Sequence, residues 1–353
     1  MLTKKSALLT LANSLSAPSF HTLKMLDQLL ASMQVVALPL KSKFRGINVR
    51  EVALFQGPAG WGEFAPFLEY GEAESSKWLL SAIDAATNQV PMAHRGFIKV
   101  NATLPALNGA KEIEELLQSF AGCDTVKIKV GENLGEDIVR VARVRSLLPK
   151  AKLRLDVNGG WSVDQALVSL YEIYEEVGPL EYVEQPCATL EELRELKTRL
   201  VIDFKITGDE VIRKAADPFA IDLQGAIDVL MLKVAPLGGI TRAREIGAHH
   251  KLPMVVSSAL DSAVGISYGL QLAASLPTLD YACGLATGQL LSADIGNLPL
   301  ENGELAVQSI SPDADLLAKY AVPVERLSWW KERTKRAFYA GAESEIKARG
   351  WNW

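Results

Sequence analysis

Apolar residues fall in two different rhythms along this chain. Residues 34–40 and 47–56 form strand-like runs, joined by the basic, glycine-containing stretch Lys41-Ser42-Lys43-Phe44-Arg45-Gly46, with a further turn at Gly57-Pro58. Residues 72–88 then carry Trp78, Leu79, Ala82, Ile83 and Ala86 at helical spacing, so the opening is an α+β unit. After Pro91 short apolar runs, at 97–102, 125–130, 153–158, 180–185, 204–208, 229–234, 254–258 and 281–285, alternate with amphipathic helical segments. Those segments span 111–120, 136–148, 163–177, 190–200, 241–250 and 263–276. Eight strand runs joined by helices match a closed βα barrel, in which consecutive strands are parallel. The fifth unit is irregular, because 211–216 is short and 220–226 has no clear type.

The expected fold is therefore α/β, a (β/α)8-type barrel with an N-terminal α+β cap domain. Residues 1–24 read as a poorly ordered extension, 25–95 as the cap, 96–295 as the catalytic barrel, and 296–353 as a segment packing on barrel or cap. That last segment holds a strand signal at 304–307 and a charged helix from 324 to about 349. Trp329, Trp330, Trp351 and Trp353 read as packing anchors. Lys4-Lys5 followed by Ala7-Leu8-Leu9-Thr10-Leu11-Ala12 imitates a signal peptide, but Asn13-Ser14 interrupts it, and a cytoplasmic location is expected.

Composition narrows the function classes. With 48% hydrophobic and 22% charged residues the chain has the material for a large core. A net charge of -5 offers no general attraction for nucleic acid or anionic lipid. The longest apolar runs are too short to span a bilayer, so no membrane partner is expected. Cys123, Cys187 and Cys283 lack metal-site spacing and read as buried thiols, while His249-His250 fall late in a helical segment and read as structural.

The chemistry lies in charged groups that interrupt the ends of buried strands, where an unpaired ion costs on the order of several kcal/mol. Lys129, Asp156, Glu184, Asp209 and Lys233 follow one another at intervals of 24 to 28 residues, about one βα unit each, so a barrel gathers them at one mouth. Lys127 and Lys129 share a strand face, with Ile128 on the other. Asp156, Glu184 and Asp209 form an oxygen-only set suited to Mg2+, with Mn2+ as a substitute; a salt-bridge network with the lysines is the structural alternative. A proton beside a carboxylate is too weakly acidic for an amine base unless the developing charge is neutralised, which a divalent cation does. Lys129 suits the base, its pKa lowered by neighbouring Lys127, and Lys233 faces it from the other side of the barrel.

In this order, Lys127-Ile128-Lys129, Asp156-Val157-Asn158, Glu184-Gln185-Pro186, Asp209-Glu210 and Lys233 resemble the muconate-lactonizing branch of the enolase superfamily, over nearly everything from Met33 onward. Within it, Phe44-Arg45-Gly46-Ile47, Gly60-Trp61-Gly62-Glu63-Phe64-Ala65-Pro66-Phe67 and Gly159-Gly160-Trp161 are most similar to the o-succinylbenzoate synthase family. The resemblance implies a modified TIM barrel that dehydrates 2-succinyl-6-hydroxy-2,4-cyclohexadiene-1-carboxylate to 2-succinylbenzoate in menaquinone biosynthesis. It further implies Lys129 as base, Lys127 as its support, Asp156, Glu184 and Asp209 as Mg2+ ligands, and Lys233 as the cation steadying the enediolate.

Further candidates have a bland reading beside the functional one. Arg154 and Asn158 either contact substrate or orient the ligands, and Ser257 and Ser258 either meet the succinyl chain or cap a loop. Arg45 either closes over the barrel or forms a solvated turn, and Gly239 either admits a ligand or starts a helix. Two rival functions remain: an N-acylamino acid racemase or dipeptide epimerase on the same fold, and a non-catalytic binding barrel, which predicts a missing ligand or base. None is missing. The expected partner is a small-molecule carboxylate, and the sequence leaves homo-oligomerisation open.

Overall fold

The computed structural model describes residues 20–351. Its first helix, Phe20–Ser32, buries Met25, Leu26, Leu29 and Leu30 against the core at helical spacing. Residues 20–24, expected in a poorly ordered extension, are thus helical; residues 1–19, with the Lys4–Ala12 stretch, lie outside the described residues.

Three antiparallel strands follow, β1 (Gln34–Phe44), β2 (Ile47–Gly57) and β3 (Gly60–Phe64), with the helix Glu72–Thr87 packed on them. β1 runs on through the basic stretch, which was expected to be a linker, and its register with β2 shifts between Pro39 and Phe44. Pro39 has no N–H for the ladder, and its carbonyl accepts from Ser292 instead. The hairpin turns at Arg45-Gly46, both at positive φ (48° and 81°), as a tight two-residue turn requires.

The run expected at 97–102 divides into β4 (Phe97–Lys99) and β5 (Ala102–Leu104). β4 pairs antiparallel with a tail strand, whereas β5 opens a parallel sheet with β6 (Thr125–Lys129), β7 (Lys152–Asp156), β8 (Tyr182–Glu184), β9 (Ile206–Gly208), β10 (Val229–Lys233) and β11 (Met254–Ser257). The backbone at Val100 and Asn101 is claimed by Gly303 and Cys283, which ends one pairing before the next begins. The eighth position is not a full strand. Bridges from Cys283 to Val100 and from Gly284 to Ser257 set 281–285 between the first and seventh strands. Gly284 fits there because any Cβ would run into the Ser257 side chain.

Helices Ala110–Gln118, Leu134–Leu147, Val163–Val177, Leu190–Arg199, Ile240–His250 and Ala263–Ser275 surround the sheet. Ser162 and Thr189 begin theirs with reciprocal capping boxes. The fifth unit keeps one turn, Glu210–Arg213, and 220–226 has no helix or strand. The tail supplies β12 (Glu304–Ala306) as the partner of β4, then the helix Val324–Ala337. A π-turn at Phe338–Ala342, with non-helical backbone at Gly341, divides the helix expected to run through to 349. Trp330 is buried and donates to Glu51, whereas Trp329 lies at the surface over Arg326. Trp351 packs partly on the core, and Trp353 falls outside the described residues. Among the described residues no helix is long and apolar enough to cross a membrane.

Along β6 and β7, Val126, Ile128, Leu153 and Leu155 are fully buried on one face, while the alternating Lys127, Lys129, Arg154 and Asp156 face the barrel interior. Ile128→Ala should therefore lower stability by about 2–5 kcal/mol in denaturant titration while leaving the interior ion pairs in place.

Candidate active site

Each charged group at the barrel mouth owes its place to a strand end. Register pairs Lys129 with Asp156 and Asp156 with Glu184, so β6, β7 and β8 deliver them at one level. Gln185 joins the fourth end to the fifth: its side-chain oxygen accepts from the backbone N–H groups of Asp209 (3.0 Å) and Val211 (3.2 Å). Lys233 ends β10, whose ladder runs beside β9.

The result is an alternating lattice of three carboxylates and three ammonium groups. Lys127 Nζ lies 3.1 Å from Asp156 Oδ2 and 2.8 Å from Glu184 Oε2. Lys129 Nζ donates to Asp156 Oδ2 at 2.7 Å and to Asn158 Oδ1 at 2.5 Å. Lys233 Nζ reaches Asp209 Oδ2 at 2.5 Å and stands 3.8 Å from Glu184 Oε1. All three carboxylates are at most 1% exposed.

Burial sorts these groups electrostatically. It opposes charge on Lys127, yet Asp156 and Glu184 hold that ammonium well above its usual range. For Lys129 burial wins: desolvation and the repulsion of Lys127 outweigh the pull of Asp156, and its pKa falls. Glu184 is pushed up to about 6 by burial and by Asp156. Asp156 withstands burial through Lys127, Lys129 and Lys233, which hold it far below the usual carboxylate range. Asp209 lies at about 2, burial being overcome by Lys233 and Arg213.

Over the lattice lies a cleft of about 580 Å³, counting space open to solvent. Its floor is Lys127, Lys129, Asp156, Asp209 and Lys233; one wall is Asn158, Glu210 and Arg213, another Ser257, Ser258, Ala259, Leu260 and Thr287. The cap supplies Phe44, Arg45, Phe67, Tyr70 and Trp78. Arg45 lies over the Phe67 ring, 4.3 Å from its centroid, and donates to Tyr70 Oη at 3.3 Å. Ser258 Oγ is 2.7 Å from both the Gly284 carbonyl and Thr287 Oγ1, and Ser257 Oγ makes a longer bond to Gly284 O.

Three predicted site residues do not line the cleft: Glu184 is fully buried among the ion pairs beneath it, and Arg154 and Gly239 lie away from it. Arg154 is fully buried two residues before Asp156, donating to Glu181 (2.6 Å), Asn101 (2.9 Å) and Ala282 O (2.7 Å), with its guanidinium over Tyr182. It fills the lower barrel, below the residues that line the cleft. Gly239, at φ 108°, faces the Asp84 carboxylate of the cap, which accepts from Ile240 N–H at 3.0 Å. That helix start is occupied by the protein's own anion. His249 packs edge-on to Phe219, and His250 Nε2 meets Pro218 O. Cys187 and Cys283 are buried, but Cys123 only partly so.

Sequence reasoning passed over Glu210 and Arg213 as site residues. Asn158 Nδ2 donates to Glu210 Oε1 (3.1 Å), and Arg213 spans Glu210 (2.8 Å) and Asp209 (3.4 Å). The signal was available, since Arg213 stands one helical turn after Asp209. Phe67 and Tyr70 gave no period-two or helical signal, because they sit in a cap loop.

Among the described residues no three acidic, histidine or cysteine side chains stand together as a ready-made metal cage, because ammonium groups lie between the carboxylates. The donor set still fits a hard cation. Asp156 Oδ1 and Glu184 Oε1 are buried acceptors without a hydrogen-bond partner, a state that costs about 1–3 kcal/mol or more for each group.

Comparison with known proteins agrees with this geometry. Residues 110–312 match the enolase C-terminal domain-like family and residues 35–86 the enolase N-terminal domain-like family. The o-succinylbenzoate synthase of Mycobacterium ulcerans is 50% identical over 318 residues, covering 89% of this chain and 95% of that protein. That of Mycobacterium leprae is 49% identical, covering 89% and 93%. Among solved structures, muconate lactonizing enzyme from Pseudomonas fluorescens superposes with a TM-score of 0.70 at 20% identity, covering 82% of this chain and 98% of that one. The L-Ala-D/L-Glu epimerase of Bacillus subtilis gives 0.67 at 21%, covering 79% and 96%; at such identities the likeness is one of fold.

The reassignment of Gly239 is open to test. Gly239→Ala places a methyl group on the Asp84 carboxylate at a backbone angle that alanine resists, so stability should fall by more than about 1 kcal/mol in denaturant titration. Divalent-cation affinity should stay unchanged; weaker cation binding at unchanged stability would return Gly239 to the ligand site.

Proposed function

This chain belongs to the enolase superfamily, and from that premise we infer that its function is that of an o-succinylbenzoate synthase, with the barrel-mouth lysines carrying out the proton transfers. It is a hydro-lyase acting on a small molecule, the cyclohexadiene carboxylate named above, in menaquinone biosynthesis. The observation that carries the division of labour is that two lysines on facing strands, Lys129 and Lys233, line one cleft above three buried carboxylates.

A divalent metal belongs to the chemistry of this superfamily, and here Mg2+ is proposed, with Mn2+ as its substitute, held by Asp156, Glu184 and Asp209. When bound it supplies positive charge where the substrate carboxylate gains electron density. The remaining work falls to the protein's own side chains. Lys129, its ammonium weakened by burial and Lys127, takes the ring proton beside the carboxylate. Asn158, held by Glu210, fixes the direction of the Lys129 amine. The same Lys129, now protonated, returns the proton to the hydroxyl departing from the adjacent ring carbon. Water leaves and the ring becomes aromatic, which drives the reaction forward. Lys233 stays seated against Asp209 on the opposite face and transfers no proton. Arg45 and the Ser257–Ser258 wall lie where they can meet the succinyl chain. A cytoplasmic location fits a pathway enzyme of this composition.

A racemase needs proton transfer from both lysines, whereas dehydration on one face needs only Lys129. Lys233→Arg keeps the charge but cannot act as a base near neutral pH, so it should retain measurable dehydration. Total loss of activity at unchanged metal affinity would contradict the one-base assignment.

Removal of divalent metal should abolish activity and Mg2+ or Mn2+ restore it, while Glu184→Gln should raise the Mg2+ concentration needed for half-saturation by at least about tenfold. Full activity in protein shown metal-free by elemental analysis would refute the site. In Lys127→Met the repulsion that helps lower the Lys129 pKa is gone and the pull of Asp156 remains. Lys129 then stays protonated to higher pH, and the rising limb of the kcat/KM profile should move upward. A lowered plateau with an unmoved limb would assign Lys127 a different role.

A further inference from the structure

The cleft wall beyond β11 is shaped from the cap. The loop carrying Ser258, Ala259 and Leu260 leads from β11 into the helix Ala263–Ser275, and two buried cap side chains, one a donor and one an acceptor, grip its backbone by hydrogen bonds. Arg50, from β2 and only 3% exposed, donates to the carbonyls of Leu260 (3.0 Å) and Ala259 (3.4 Å), and also to that of Ala65 in the cap. Glu63, from β3, accepts from the N–H groups of Ser262 (3.2 Å) and Gly265 (2.9 Å) and from the Ser262 hydroxyl (2.5 Å). Carbonyls are thus held by the guanidinium N–H groups and backbone N–H groups by the carboxyl oxygens, each matched to its donor or acceptor type.

Three further observations show that the grip is built. Leu260 stands at φ 62°, a conformation that persists in a non-glycine residue when its surroundings over-determine it. Gly265 makes the approach feasible: a Cβ there would come within 2.7 Å of Asp261 Cβ and 2.8 Å of the Glu63 carboxyl group. The guanidinium of Arg50 also lies 4.3 Å from the centroid of Phe67, a cap residue of the same cleft. One residue therefore braces both the roof and the far wall, yet neither Arg50 nor Glu63 lines the cleft itself.

Taking the dehydratase reading as given, we propose that Arg50 and Glu63 are positioning residues that set specificity for the acyl side chain of the substrate, by locking the loop from Ser258 to Ser262 as the wall that chain lies against. The wall suits a short acyl chain ending in a carboxylate. Ala259 leaves room, and the paired hydroxyls of Ser258 and Thr287 can turn toward an anionic oxygen. Proton transfer occurs on other strands, so the grip governs which substituent is held rather than the bond-breaking step.

The test compares two substrates in the Mg2+-loaded enzyme: the succinyl-bearing cyclohexadiene carboxylate and its analogue with an acetyl group in place of succinyl. The wild type should favour the succinyl substrate in kcat/KM. Arg50→Lys loses the spread of donors that spans three carbonyls, and Glu63→Gln turns an amide nitrogen toward a backbone donor. Each should shrink the preference by about tenfold, mainly through a raised KM for the succinyl substrate, with turnover of the acetyl analogue within about twofold of wild type. Ser262→Ala, which removes the hydroxyl donor to Glu63 together with the cap bond from Val264 N–H but leaves both gripping side chains in place, should shift the ratio the same way by less, and it serves if either variant melts below the assay temperature. Equal losses on both substrates, or an unmoved ratio in every folded variant, would overturn the positioning role. A wild type that dehydrates both substrates equally would overturn it too while leaving the dehydratase reading intact. Failure of the wild type on both would remove the reading beneath it.

Discussion

The mutual neutralisation of Lys127, Lys129 and Lys233 with Asp156, Glu184 and Asp209 is the constraint on which the rest of the structure depends. Any one of these ions, left alone at such burial, would carry a penalty of several kcal/mol, on the order of what stabilises a whole domain. The pairs form only if β6 through β10 keep their register, because a one-residue slip would turn a strand's charges outward and its apolar face inward. The apolar residues alternating with them make the same demand from the other side. Site and barrel are thus one specification, and Asp156 Oδ1 and Glu184 Oε1, buried without a hydrogen bond, leave capacity for a further positive charge.

A second layer of ionic contacts fixes the cap over that mouth. Asp84 meets the start of Ile240–His250 and Glu63 the start of Ala263–Ser275, so two cap carboxyl groups accept from the free N–H groups at the starts of neighbouring barrel helices. The tail adds Arg326 and Trp330 on Glu51, and Arg333 on the carbonyls of Phe67 and Tyr70. Burial of Arg333 among other arginines lowers its pKa to about 10, well clear of neutral pH. The aromatic roof of the cleft is therefore held by backbone and ion contacts from three directions, leaving the Arg45 hairpin tip as its lightly held edge.

Much of this was legible in the sequence because charge in a strand is conspicuous. Spacings of one βα unit gathered Lys129, Asp156, Glu184, Asp209 and Lys233 at one mouth, and the structure brings them into contact. Alternation, however, reports the face of a strand and not the height along it. Arg154 shares a face with Asp156 but stands about 6–7 Å lower, where Glu181 claims it. The eighth strand was read from its apolar residues, yet its backbone partners lie on two different neighbours and it forms only bridges. Arg50, Glu63 and Asp84 were invisible as site builders, since the barrel backbone groups they hold lie some 150 to 210 residues away, and no local pattern marks such a contact.

The lattice is proposed to bind a cation as well as to pair its own ions. The most direct measurement is anomalous diffraction from crystals grown with Mn2+. A single strong peak among the carboxylate oxygens of Asp156, Glu184 and Asp209, at about 2.0–2.3 Å, is the predicted result. Ordered crystals at saturating Mn2+ with no peak there, and with the lysines still seated on all three carboxylates, would contradict it.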